Sequence, residues 1–315
     1  MLQLLSYACF LVFIIGAVAA AMRYASMPVH LRWELYPVAR EKGRDNGGAC
    51  REKPDRWTMP RCRTLLGELR YMAREGLLFE QCFRRNRGLW YLTYPFHLGV
   101  LLIALWLFLL LLGAITLLLG VAVSPSSGVW GRLVFHATII SGAAGFAVCL
   151  VTGFGLLVKR LLDPDLRSYT VPSDYLNLLV LLIVAAASVW AWSLHDATFT
   201  FARAYVKSLI SFSPAQGMGT ALSVNIILFS LFFVYMPFSQ LKHGLAKYFT
   251  YHRVRWEDEP NVRGSALEAR IAKLLRNRVT WAAAHIRQGD TWGEVAARTR
   301  TTEAKAQNDA QKKKN

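Results

Sequence analysis

Residues 96–121 read FHLGVLLIALWLFLLLLGAITLLLGV, a run without one charged side chain. A helix needs about 20 apolar residues to cross a hydrocarbon core of about 30 Å, and this run is longer than that. Four further stretches meet the same requirement: Leu4–Met22, Leu133–Val158, Tyr175–Leu194 and Ala221–Leu241. The expected fold is all-α, an integral membrane bundle of five helices, because backbone in lipid must satisfy its own hydrogen bonds. Of the 315 residues 54% are hydrophobic and only 18% charged, with mean hydropathy +0.28. A purely soluble, disordered or collagen-like chain is excluded.

The net charge of +17 would mark a nucleic-acid binder among soluble proteins. Here its distribution gives another meaning. Fifteen Lys and Arg lie between Arg23 and Trp90, three between Lys159 and Asp174, and 16 from Lys242 onward. Only Arg132, Arg203 and Lys207 fall in the other two connections, so 34 of 37 positive charges share one side. The positive-inside rule then places the N-terminus in the periplasm and the basic segments in the cytoplasm of a multi-pass inner-membrane protein. The expected surroundings are membrane lipid and no nucleic acid. Ala17-Val18-Ala19 resembles a signal-peptide cleavage site, but no Lys or Arg precedes the apolar run and a dense basic segment follows it. That charge order is the one expected of an N-outside anchor.

The expected organisation is a five-span membrane domain over residues 1–250 with a cytoplasmic insertion at 23–95, a tail at 251–300 and a polar terminus at 301–315. Residues 40–60 read as a charged loop rich in Gly and Pro. Leu65, Leu66, Leu69, Met72 and Leu77 predict a surface helix within 61–87. Ser265-Ala266-Leu267-Glu268 predicts a capping box opening a short helix that ends near Arg276. The terminus has the composition of a disordered segment.

Seven histidines separate by depth. His97 starts the second span and His243 follows the fifth, which places both at the cytoplasmic boundary. His136 begins the third span and His195 ends the fourth, at the opposite boundary. His30, His252 and His285 fall in cytoplasmic segments and read as solvated or partner-facing. Imidazoles in a membrane bundle tend to mark function, and two from different helices can hold a b-type haem iron from either side. The competing reading is a boundary histidine that bonds a lipid headgroup or a carbonyl.

Particular words narrow this choice. The second span opens Phe96-His97-Leu98-Gly99, the third closes Gly153-Phe154-Gly155-Leu156-Leu157-Val158-Lys159-Arg160, and the fifth ends Pro237-Phe238-Ser239-Gln240-Leu241-Lys242-His243. With five N-outside spans, the chain resembles the gamma subunit of respiratory nitrate reductase, a quinol-oxidising dihaem cytochrome b. The similarity covers residues 1–250 loosely and those words closely. The resemblance implies that His97 and His243 are the axial ligands of a haem b nearest the cytoplasm, passing electrons to an iron–sulfur partner. In that family a second histidine follows the first by 10 residues, and another precedes the last by 18, together holding an outer haem. Here those positions are Leu107 and Asn225. An outer haem is therefore absent, or held by His136 and His195, or replaced by quinone contacts at His136, His195 and Asp196, where an imidazole can exchange a proton near neutral pH.

Two further segments bear on partners. Met27–Val38, with Trp33 and Tyr36, and the tail words Arg255–Pro260 and Val279–Ile286 resemble the membrane cytochrome b subunits of sulfate-reducer redox complexes. That resemblance implies a cytoplasmic partner like the iron–sulfur subunit of heterodisulfide reductase, and a periplasmic multihaem cytochrome c. Cys50, Cys62 and Cys82 share a loop at spacings that match no common metal site, and Cys9 and Cys149 read as small apolar residues. Arg84, Arg85, Arg87, Lys159 and Arg160 either snorkel or meet haem propionates. The expected function is a haem b membrane subunit of a respiratory electron-transfer complex, linking menaquinone or a periplasmic cytochrome c to a cytoplasmic iron–sulfur subunit. The rival is a haem-free membrane scaffold for a cytoplasmic partner.

Overall fold

A computed structural model describes residues 1–27, 65–215, 217–246, 248–249, 263–283 and 286–297. His30, Trp33, Tyr36, Cys50, Cys62, His252, the word at 255–260, His285 and the 301–315 terminus lie outside the described residues. The helices, in chain order, are α1 (Leu2–Ala25), α2 (Leu65–Leu77), α3 (Glu80–Arg85), α4 (Arg87–Leu118), α5 (Val129–Leu162), α6 (Pro164–Tyr169), α7 (Pro172–Leu194), α8 (Thr200–Ile210), α9 (Thr220–Tyr235), α10 (Ala266–Leu275) and α11 (Trp292–Ala297). No strand is present among the described residues, which hold only two isolated bridges. Five helices, α1, α4, α5, α7 and α9 with its extension to Phe238, are long and apolar enough to cross a membrane. One compact unit takes in residues 1–22 and 69–246; the other contains α10 and α11.

Helix boundaries depart from the hydropathy reading where caps and prolines act. The second span starts at Arg87 instead of Phe96, because the Asn86 side chain accepts the Leu89 N–H at 2.9 Å and Pro95 is accommodated inside the helix. At about 1.5 Å per residue, α4 outruns a 30 Å hydrocarbon core. Its first turns carry Trp90, Tyr91 and Tyr94, with Trp90 and Tyr94 stacked at 4.8 Å, the composition of a membrane-interface belt. The helix expected within 61–87 divides into α2 and α3 at Phe79, whose φ of 53° ends regular helix. Regular α-helix in the fifth span ends at Tyr235, short of Leu241, since Pro237 has no N–H to donate. The chain continues through two 3-10 turns, Met236–Phe238 and Gln240–Lys242, with Ser239 extended between them.

The core of the membrane unit is α4 packed along α5, with α7 on α5 and α9 on α7. Gly99 permits that first contact: a Cβ there would stand 2.8 Å from the backbone nitrogen of Cys149. Phe96, Cys149, Leu156, Leu178, Leu182 and Ala185 fill the bundle near His97. Trp106, Leu110, Phe146, Phe199, Ala202 and Leu222 fill it farther along α4. The connection between the fourth and fifth spans is itself helical, α8, and packs against α4. In the other unit, Ser265 accepts the Glu268 N–H at 3.1 Å and opens α10 as the capping pattern predicts. The Glu268 carboxylate reaches back to the Gly264 N–H, one residue ahead of the cap.

Candidate functional site

His97 and His243 come together. Their ring centroids are 6.3 Å apart and the planes are nearly perpendicular, at 79°. His97 is half-buried on α4, and its Nδ1 lies 2.7 Å from the Thr93 carbonyl one turn earlier. His243 follows the second 3-10 turn, with its Nδ1 3.1 Å from the Gln240 carbonyl. A carbonyl can only accept, so each Nδ1 carries a hydrogen. A metal-binding imidazole is commonly oriented in this way, through its other nitrogen.

The turn that carries His243 is braced from α7. Asn177 donates through Nδ2 to Gln240 Oε1 at 3.3 Å, and Gln240 Nε2 donates to Ser173 Oγ at 3.1 Å. Tyr235, the last residue of α9, donates its hydroxyl to Asn177 Oδ1 at 2.7 Å. The residue that orients His243 is therefore held by two side chains of a neighbouring span. On the other side, the Phe79 ring packs 4.5 Å from His97. Among these residues only Gln240 fell in a word singled out from sequence. Asn177 carried a signal, as a buried amide within an apolar span. The carbonyl acceptors carried none, because every residue has one.

The other two histidines have separate neighbours. His136 is exposed on α5 and contacts the ring of Phe135. His195 is exposed at the end of α7, lies 6.3 Å from the Phe201 ring and packs closely over Gly219. Asp196, one residue on, turns inward instead: it is buried, and its Oδ2 accepts the Ala202 N–H at 2.8 Å, capping α8. Arg203 on α8 is buried too, with its guanidinium 5.8 Å from the Phe135 ring and its stem against Gly113. Arg203 Nε and Nη2, Asp196 Oδ1 and Trp106 Nε1 find no hydrogen-bond partner among the described residues.

Most basic residues flanking the histidines have local partners. Arg84 pairs with Glu80 at 2.6 Å and Lys159 with Asp163 at 3.1 Å. Arg160 reaches Asp174 at 3.9 Å and Thr170 at 3.2 Å, while Arg87 lies over the Phe83 ring. Cys82 is half-buried on α3, and burial pushes its thiol up, away from thiolate chemistry.

The family model of the nitrate reductase gamma subunit matches residues 81–257, a span that contains all four of these histidines. The chain belongs to the nitrate reductase gamma subunit family. A search of curated proteins finds no significant match. Gamma-family chains are membrane cytochrome b subunits of redox complexes, and this member is accordingly a multi-pass membrane subunit of that general kind. The family implies haem b, and the neighbouring imidazoles of His97 and His243 are donors of the kind that would hold its iron. No group of three or more His, Cys, Asp or Glu fit to hold a bare ion occurs among the described residues, and a haem does not need one.

Proposed function

We propose that this gamma-family subunit holds a b-type haem between His97 and His243 and serves a respiratory electron-transfer complex as its membrane electron carrier. The observation that carries this reading is the close pair of imidazoles brought together from the second span and the end of the fifth, each with Nδ1 held by a backbone carbonyl. The haem supplies reversible one-electron chemistry at its iron. The protein contributes geometry: Thr93 and Gln240 fix the two ring orientations, and Asn177 and Ser173 fix Gln240. Phe79 and Phe96 lie against His97 and shield it from water.

The charge distribution supports an orientation with the His97 end of the bundle in the cytoplasmic leaflet and the N-terminus in the periplasm. In that orientation the proposed electron path joins menaquinone or a periplasmic multihaem cytochrome c to a cytoplasmic iron–sulfur subunit resembling that of heterodisulfide reductase. The basic insertion and tail are the proposed docking surfaces for that subunit. The proposed division of the chain is a membrane cytochrome domain over 1–250, a docking tail over 251–300 and a polar terminus over 301–315.

The test is spectroscopic. The purified full chain is expected to be red, with a dithionite-reduced minus oxidised spectrum of low-spin haem b. A colourless protein would return it to a haem-free scaffold.

A further inference from the structure

We infer that this subunit carries a single haem b, because a plug of aromatic side chains closes the second position along the bundle. The inference rests on the reading of His97 and His243 as ligands and concerns what lies beyond them. Leu107, 10 residues after His97, and Asn225, 18 residues before His243, line one common cavity between α1, α4, α8 and α9. They stand at the spacings at which the family resemblance places a second pair of ligands.

The remaining space is small. The cavity, which is partly open on one side, measures about 170 Å³ and its walls are mainly apolar. A cavity of about 150 Å³ holds one benzene ring, so a macrocycle of four pyrroles with its substituents needs several times the room. Interlocked rings take up the volume beside it: Trp106 lies 4.9 Å from Phe146, 5.2 Å from Phe199 and 5.9 Å from Phe229. Phe146 and Phe229 are 6.1 Å apart in an edge-on arrangement. Trp106, Phe146 and Phe199 are all buried. Phe199 comes from the turn between α7 and α8, where its left-handed backbone, φ 54°, directs the ring into the core.

The polar side chain at one of the two ligand spacings, Asn225, is already committed. Asn225 donates to Ser188 Oγ at 2.7 Å, and Ser188 donates in turn to the Val184 carbonyl at 2.8 Å. No substitute pair meets there either. Among the described contacts, His136 touches Phe135 while His195 touches Phe201, and the Nε2 edge of His195 faces the backbone of Gly219. The redox centre is thus confined to the His97 end of the bundle.

The decisive measurement is haem b per polypeptide, by pyridine haemochrome on the full chain purified with its natural partners. One haem is expected, with a one-component redox titration, and His97→Ala is expected to remove all of it. Two haems, with half retained in His97→Ala, would overturn the inference while leaving the His97–His243 reading intact. No haem would overturn that reading and the inference with it. The plug is tested separately in the double variant Leu107→His/Asn225→His, which restores both imidazoles at the missing positions. It is expected to keep one haem per chain, because the rings still fill the volume. A rise to two would show that ligand identity alone, and not packing, had removed the second site.

Discussion

Asn177 on α7 donates its side-chain amide to Gln240 at 3.3 Å, tying the fourth span to the turn whose backbone carbonyl orients His243. Partners of this kind typically change metal affinity or activity 10–100-fold when removed. Asn177→Leu is therefore expected to speed haem release to an apomyoglobin acceptor by about tenfold or more, with the b-type spectrum kept. Release at the wild-type rate would show that Gln240 is held without α7.

The proposed ligand pair gives a sharper outcome. His97→Ala or His243→Ala alone should abolish low-spin haem at this position, since each removes one of two axial nitrogens. Full haem content in both variants would reject the ligand assignment.

Gly99 sits where a side chain has no room against the Cys149 backbone. Gly99→Ala should destabilise the membrane unit by about 1–3 kcal/mol, the usual cost of overpacking, seen as a lower melting temperature in detergent. Gly76→Ala is the control. A Cβ there meets nothing within 4 Å, and alanine favours helix, so no loss is expected.

Arg203 and Asp196 are buried charges of opposite sign at the α7–α8 turn. Arg203→Met alone removes the buried cation that senses the Asp196 charge and should lower the melting temperature in detergent. Adding Asp196→Asn keeps an acceptor for the Ala202 N–H while removing the charge, and should recover most of that loss. Additive effects in the double-mutant cycle would show that the two groups do not sense each other.

Asp163, between α5 and α6, accepts from Lys159 Nζ and from the amides of Asp165 and Leu166. The Lys159 hydrogen bond is the largest cause, ahead of the Leu166 amide, and together these hold the Asp163 carboxyl below its ordinary value. With the folded value depressed, its contribution is complete above the unfolded value of about 4 and is lost as pH falls through the folded one. The melting-temperature gap between wild type and Asp163→Asn should be open at neutral pH and close in acid. A gap that widened in acid would contradict the assignment.

Five spans were legible because hydropathy over 18 or more residues is a coarse signal that local detail does not erase. Their ends were not, since Asn86 and Pro237 act through one cap and one missing N–H. The helix α8 escaped as well: it is 11 residues long and carries Arg203 and Lys207, so no hydropathy window finds it. That omission hid the source of Phe199, and with it the reason Leu107 and Asn225 stand where they do. His97 and His243 were legible as a pair through a resemblance. Their orientation depends on backbone carbonyls, which any sequence supplies everywhere.

The way α1 meets the bundle bears on how the protein is made. Among the described residues, a narrow strip of α1 touches later elements: Gln3 donates to Ser208, Ser6 bonds Tyr205 and Ser230, Phe13 packs 5.2 Å from Phe233, and Gly16 faces Pro237. Its other faces, with Leu4, Leu11, Ile15, Val18 and Met22, are exposed. Every one of those partners lies in α8, α9 or the turn that follows, roughly 200 residues behind in synthesis. These contacts join residues roughly 200 positions apart, so they form only once α8 and α9 have been made, and Ser6 and Phe10, which wall the cavity, complete it then.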